Sequence, residues 1–175
     1  ASDVYKRQII KVAEGYKLGV QAVNPNCDVY TAYTGSTEDV QKSKEAAQAM
    51  IDKGVDLIGG GGNASNAGMI KACEEAGVYA FGELEQQNLA PETVIFCNMN
   101  NIENLVLQAV KDTIDGDFQG CIREYGIAAD VAQLTEYNSH VPQEVKDKLA
   151  ECMDQMRSGE LDIPMITEIS DDIIH

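Results

Sequence analysis

The sequence predicts an α/β fold: a parallel sheet with helices on both faces. Three observations carry that expectation. Short apolar or β-branched runs alternate with longer stretches of helical period. Most of those stretches close on a glycine, at Gly54, Gly77, Gly116 and Gly159. Strand and helix patterns in strict alternation mark βαβ units, whose parallel strands need cover on both sides.

Taken in order, Ile9–Val23 reads as an amphipathic helix with Ile9, Ala13, Tyr16, Val20 and Val23 on one stripe. Residues 1–8, Ala1–Gln8, share no period with it and look like the translation of a transposon-end adapter used in sequencing libraries. They are expected to be a foreign scar, to be set aside before fold reasoning. The natural chain is then 9–175. "CDVYTAYTG" is β-branched and aromatic enough for a strand. In "STEDVQKSKEAAQAMIDKG" the spacing puts Val40, Ala47, Met50 and Ile51 on one helical face, with Ser36 as cap and Gly54 as stop.

The pattern then repeats. "VDLIGG" is a strand, and "NASNAGMIKACEEAG" a helix with Met69, Ile70, Cys73 and Ala76 inward. "VYAFGEL" is a strand, followed by a polar loop that "LAPET" closes, and "VIFCNM" is the next strand. Residues 101–116, "NIENLVLQAVKDTIDG", carry the cleanest stripe in the chain: Ile102, Leu105, Val106, Ala109, Val110 and Ile114. "GCIREYGIAADVAQLTEYN" reads as two or three short extended segments. "VPQEVKDKLAECMDQMRSG" reads as a last helix with Pro142 in its first turn and Gly159 at its end.

Composition narrows the function. The chain has 175 residues, the length of one ordinary domain, and 44% hydrophobic residues, enough for a core. Its formal charge of −16 repels nucleic-acid phosphates and anionic lipid surfaces alike. No apolar run approaches the roughly 20 residues that span a bilayer. The five cysteines are an odd number without CxxC or Cys/His spacing, so neither a disulfide framework nor a zinc site is implied. Most of them are expected to be small buried hydrophobes. No cofactor is indicated.

In open α/β sheets ligands bind beyond the carboxyl ends of the strands. That rule selects "TGSTED" (Thr34–Asp39), "GGGGNASN" (Gly59–Asn66), "GELEQQ" (Gly82–Gln87) and "NMNNIE" (Asn98–Glu103). The candidate ligand-binding residues within them are Ser36, Thr37, Gly62, Asn63, Ala64, Glu83, Leu84, Glu85 and Asn100.

The run Gly59–Gly62 lets backbone approach a ligand, and Gly59-x-Gly61-x-x-Ala64 is a partial dinucleotide fingerprint, so a nucleotide- or NAD-dependent enzyme is the rival reading. The plain alternative is a tight strand-to-helix turn. Ser36 with Asp39, and Asn100 with Glu103, also fit helix-cap pairs. Strand alternation would place Glu83 and Glu85 on one side, although a solvated loop charge is the more frequent use of such acids. The two histidines, His140 and His175, stand near no nucleophile in sequence, which favours binding without turnover.

"EGYKLGVQAVNP", "YTGSTEDVQKSKEAAQAMIDKGVDLI", "AGMIKACEEAGVYAFGELEQQNLAPETV", "DTIDGDFQG" and "EYNSHVPQEVKDKLAECMDQMRSGELDIP" resemble, in one register, the basic-membrane-protein family of ABC-transporter substrate-binding lipoproteins, which includes purine-nucleoside receptors. The resemblance implies a type I periplasmic-binding-protein fold, with two α/β lobes enclosing a small solute and delivering it to a membrane permease. It implies an extracytoplasmic protein, anchored to the plasma membrane by lipid in its full-length form. Residues 9–175 would be mainly the second lobe, with helix 101–116 packing on a missing first lobe and therefore exposed and prone to aggregate.

Where nucleoside receptors of the family carry a stacking aromatic, a ribose-gripping aspartate and a lysine, this sequence has Thr37, Leu84 and Asn100. Stacking and a charge-assisted hydrogen bond are each worth about 1–3 kcal/mol, so purine nucleoside is one candidate solute among several. A sensory domain of the same fold, which binds solute but signals instead of importing, is the remaining alternative.

Overall fold

The computed structural model describes residues 2–164 and 166, with side chains from Ile9 onward. His175 and the end of the expected 9–175 segment lie outside them. Contacts divide the chain into one unit that runs to Val78 and resumes at Ile163, and a second unit formed by Tyr79–Asp162.

In the first unit, α1 (Ser2–Val23) begins seven residues ahead of the expected start. Its Ser2–Gln8 turns hold no proline or glycine to stop them, so the helix continues through the stretch expected to be foreign. Its buried side is Ile10 and Glu14, whereas Tyr16 and Val23 of the expected stripe are 36% and 87% exposed. Spacing identifies an apolar stripe, but only packing decides which turns are covered. The expected strand "CDVYTAYTG" is not one: its only ladder position is an isolated bridge at Thr31. β-propensity reflects fit to a half-buried pleated surface, and here Tyr30 and Tyr33 stay exposed.

Helix α2 (Val40–Ile51) is capped by Asp39, whose Oδ1 accepts from the Lys42 N–H at 3.0 Å, and it buries Ala47. Strand β1 (Leu57–Gly59) buries Ile58 and leads to α3 (Asn66–Ala76). Helix α3 buries Asn66, Gly68, Met69, Ile70, Ala72 and Cys73, while Ala76, expected inward, is exposed in the last turn before left-handed Gly77.

The α2–α3 contact runs backbone to backbone. A Cβ on Gly68 would collide with the Val40 carbonyl oxygen and stand 3.0 Å from the Lys44 nitrogen. A Lys44–Glu75 ion pair at 2.7 Å spans the same helices. Burial pushes the Cys73 thiol up to about 11.

In the second unit, β2 (Tyr79–Glu83), β3 (Val94–Asn100) and β4 (Ala132–Leu134) lie side by side in that order. β2 and β3 are parallel, with Phe81 opposite Phe96 and Glu83 opposite Asn98. β4 runs antiparallel to β3, a departure from the all-parallel expectation. The cause is where the chain returns: the Asn101 N–H donates to the Val131 carbonyl at 2.7 Å, so β4 starts beside the end of β3 rather than its beginning. The other expected extended segments before it are a 3-10 turn, Ile127–Ala129, and irregular loop.

Ala80, Val94 and Cys97 are fully buried. Phe81 stacks on Phe96 with centroids 5.4 Å apart, and Tyr137 meets Phe96 edge-on. Neither α4 (Ile102–Ile114) nor α5 (Gln143–Ser158) buries a residue. α4 is tied instead by its polar side. Asp112 pairs with Arg123 and accepts from the Tyr125 hydroxyl at 2.7 Å, contacts that hold its carboxyl below the usual range, the Tyr125 bond foremost.

All five cysteines are free, and Cys27, Cys121 and Cys152 are exposed. Only Cys73 and Cys97 match the expectation of buried thiols, because the other three lie outside the packed helix and strand positions. Among the described residues no helix is long and apolar enough to cross a membrane, and no group of acidic, histidine or cysteine side chains could hold a metal ion.

Candidate functional site

The candidate residues fall into two sets, one in each unit. In the first unit the segment ahead of α2 is folded by its own hydroxyls. The Thr34 hydroxyl donates to the Ser36 carbonyl at 2.9 Å, and Ser36 Oγ accepts from the Glu38 and Asp39 amides at 3.2 and 3.1 Å. Ser36 thus caps a turn rather than the helix, and the cap of α2 passes to Asp39. Acceptors spaced two and three residues from an amide make such turns a standing competitor to helix capping.

The loop after β1 meets this turn directly. The Ser65 amide donates to the Thr37 carbonyl at 3.0 Å, and the Asn63 side-chain amide donates to the Glu38 carboxylate at 3.1 Å. Gly62 is buried and has no room for a side chain: a Cβ there would collide with Ser65 Oγ and lie 3.7 Å from the Thr37 Cα. Ser36, Thr37, Gly62 and Asn63 are therefore brought together, with Ala64 exposed at the edge of the group.

The glycine run has a packing explanation. At Gly60 a Cβ would strike the buried Asn66 side chain and stand 2.9 Å from the Met69 methyl carbon. The amides of Asn66, Ala67 and Gly68 donate to the carbonyls of Asn63, Ala64 and Ser65 at 3.4, 3.2 and 3.0 Å. Those bonds tie up amides at the start of α3.

In the second unit Glu83 and Leu84 stand at the end of β2. Leu84 has φ 55°, a left-handed conformation that costs an L-residue about 1–2 kcal/mol, and its side chain is 54% exposed. Its amide donates to the Asn98 carbonyl at 2.8 Å. This turn ends the strand, so alternation does not extend to Glu85, which instead precedes the 3-10 turn Gln86–Leu89 and is exposed. The expected shared side for Glu83 and Glu85 therefore does not form: the left-handed residue between them breaks the pleat.

Glu83 is half-buried, and burial alone raises its pKa. Asn98 is its partner in register, while Asn100 lies exposed at the end of β3. Asn101, not Asn100, caps α4, because its Oδ1 accepts from the Asn104 amide at 3.0 Å and β3 extends through Asn100.

Two residues that sequence reasoning did not single out hold this loop. Gln86 Oε1 accepts from the Glu83 amide at 3.0 Å, and Gly82 leaves room for it, since a Cβ there would stand 3.0 Å from that oxygen. Gln87 donates to the Glu136 carbonyl at 3.1 Å and accepts from the Thr135 hydroxyl at 3.2 Å, and Thr135 Oγ1 accepts from the Cys97 amide at 2.8 Å. The adjacent glutamines, each donor and acceptor at once, were the available signal.

Comparison with known proteins follows this geometry. The family model described as "ABC transporter substrate-binding protein PnrA-like" matches residues 5–167. A purine-binding protein of Brucella abortus is 26% identical over 155 residues, covering 88% of this chain and 43% of that protein. The transcriptional activator protein Med of Bacillus subtilis is 23% identical over 150 residues, covering 85% and 47%. The structure of an ABC transporter solute-binding protein from Conexibacter woesei superposes with a TM-score of 0.73 at 21% identity, covering 91% of this chain and 54% of that one. The chain thus spans less than half the length of these two curated relatives. With a family match over nearly its whole length and the fold of a solute-binding protein, the chain belongs to the Bmp family of PnrA-like ABC transporter substrate-binding proteins.

Proposed function

We propose that the chain is part of an extracytoplasmic receptor that binds a small polar solute without chemical change and passes it to the permease of an ABC importer. The observation that carries this reading is the family match over residues 5–167. In the full-length protein a lipid anchor would hold the receptor at the plasma membrane. A preceding lobe would supply the other wall of the pocket, and the apolar face of α4 would pack against that lobe. Within the first unit, the candidate loops for contact with a solute are those bearing Ser36, Thr37, Gly62, Asn63 and Ala64; within the second, taken by itself, they are those bearing Glu83, Leu84, Glu85 and Asn100. Closure by hinge motion would trap the solute.

The reading favours no enzyme. The glycine run instead has a packing use, since a Cβ at Gly60 or Gly62 would strike Asn66 or Ser65. The test is calorimetric binding of nucleosides and sugars to the protein expressed from its full reading frame, with recovery of the ligand and its mass. A saturable isotherm with ligand returned intact is expected; a ligand returned altered refutes binding without turnover.

The likeness to Med favours a second reading, a solute sensor that signals. Deleting the gene separates the two: loss of solute uptake supports import, whereas intact uptake with altered transcription supports sensing.

A further inference from the structure

We propose, on the reading that the loop after β2 contacts a solute, that Gln87 and Thr135 are positioning residues within the second unit. They form a strut that fastens this loop to the segment after β4, and they set affinity through the backbone rather than by touching the solute. The loop needs such support. Leu84 holds a left-handed conformation, φ 55°, which an L-residue keeps only where its surroundings over-determine it. Apolar packing does little of that, since Leu84 and Leu89 are 54% and 57% exposed and the 3-10 turn Gln86–Leu89 buries no residue. Polar bonds do the holding.

Some of these bonds stay within the loop or reach only β3. The Glu83 amide donates to Gln86 Oε1 at 3.0 Å, the Asn88 amide to the Glu85 carbonyl at 3.0 Å, and the Leu84 amide to the Asn98 carbonyl at 2.8 Å. Gln87 reaches farther. Its Nε2 donates to the Glu136 carbonyl at 3.1 Å and its Oε1 accepts from the Thr135 hydroxyl at 3.2 Å, residues 49 and 48 positions away in the chain.

Thr135 is a fixed post for this strut. Its Oγ1 accepts from the Cys97 amide at 2.8 Å, and its own amide donates to the Cys97 carbonyl at 2.8 Å, so hydroxyl and backbone are both tied to a fully buried residue of β3. The single hydroxyl proton then turns to Gln87 Oε1, with the Glu136 carbonyl a longer alternative at 3.4 Å. That arrangement orients the Gln87 amide, oxygen to the hydroxyl and nitrogen to the carbonyl. Glutamine makes both bonds, whereas a glutamate would make one and a leucine none. Without the strut the loop leaves its place for part of the time, and only the fraction in place binds.

The test joins hydrogen exchange at the Leu84 and Asn88 amides to calorimetric titration with adenosine, inosine, glucose and ribose, on the protein from its full reading frame. In Gln87→Leu both amides are expected to exchange about tenfold faster with the melting temperature nearly unmoved, because the opening is local. Whichever probe binds is expected to bind about tenfold more weakly, the effect of one or two net hydrogen bonds. Thr135→Val should lose at least as much, Thr135→Ser should restore wild-type behaviour, and the double variant Gln87→Leu/Thr135→Val should lose no more than Thr135→Val. If Thr135→Val fails to fold, Gln87→Leu and Thr135→Ser decide.

Unchanged exchange in Gln87→Leu overturns the strut. Faster exchange with unchanged affinity overturns the positioning role and leaves the receptor reading standing. Losses that add in the double variant, or a Thr135→Ser that fails to restore, overturn the pairing of Gln87 with the Thr135 hydroxyl. Silence of the wild-type protein toward all four probes counts against the receptor reading and takes the affinity claim with it, while exchange still decides the strut.

Discussion

Helices α3 and α4 are of similar length, 11 and 13 residues, and α4 has the more regular apolar stripe, yet their fates are opposite. α3 buries six of its residues and approaches α2 so closely that Gly68 has no space for a methyl group. α4 buries none: Ile102, Val106, Val110 and Ile114 are 59%, 56%, 47% and 77% exposed. Hydrophobic period therefore reports that a face is suited to a partner, and says nothing of whether that partner is in the same chain.

The largest expected effect breaks the packed half of this comparison. Gly68→Ala forces α2 and α3 apart and should cost about 3 kcal/mol, the upper range for overpacking, or roughly 6–12 °C of melting temperature in a thermal unfolding series. An unchanged melting temperature would mean that the α2–α3 contact is looser than described.

Next come the caps, which sharpen the contrast. Asp39→Ala removes the acceptor for the Lys42 amide and should cost about 1 kcal/mol of global stability. Asn101→Ala removes the equivalent acceptor from α4. Because α4 contributes little packing, its loss should appear as faster amide exchange within Ile102–Ile114, with the melting temperature nearly unmoved.

Smaller still is the effect of polar substitutions on the exposed stripe. Val106→Lys with Val110→Glu should change stability by less than about 0.5 kcal/mol while reducing aggregation seen by light scattering, since the face they interrupt is open apolar surface. A large loss of stability would show that α4 is buried in solution after all.

The smallest is electrostatic. Burial raises the Glu83 pKa above its ordinary 4.5, so the native state binds the proton more readily than the unfolded chain. Stability from this group is therefore full below pH 4.5 and is lost as pH rises through the folded pKa. Glu83→Gln should raise the melting temperature at neutral pH by roughly 1–2 °C, and the gain should vanish in acid.

The elements that sequence made legible are those whose signals are local. Gly77 and Gly159 end their helices in left-handed conformations, and "VYAFGEL" and "VIFCNM" became β2 and β3. What escaped depends on distant neighbours. Tyr30 and Tyr33 have strand propensity but no continuous ladder, and the reversed direction of β4 follows from a bond between Asn101 and Val131, thirty residues apart in the chain.

The candidate loops were legible as positions at strand ends, because that rule is topological. Their internal chemistry was less so. The shift of the α2 cap from Ser36 to Asp39, and of the α4 cap from Asn100 to Asn101, turns on a one- to three-residue choice between competing acceptors. The holding role of Gln87 depends on Thr135 and Glu136, nearly fifty residues on.

The outer flank of the sheet in the second unit is β4, a strand only three residues long and opposed in direction to β3. Such a stub gives an incoming chain little backbone to template upon. If this protein clumps, the deposits should be amorphous, silent to thioflavin and reversible in mild detergent, because side chains on a helix and not an open ladder would be the adhesive.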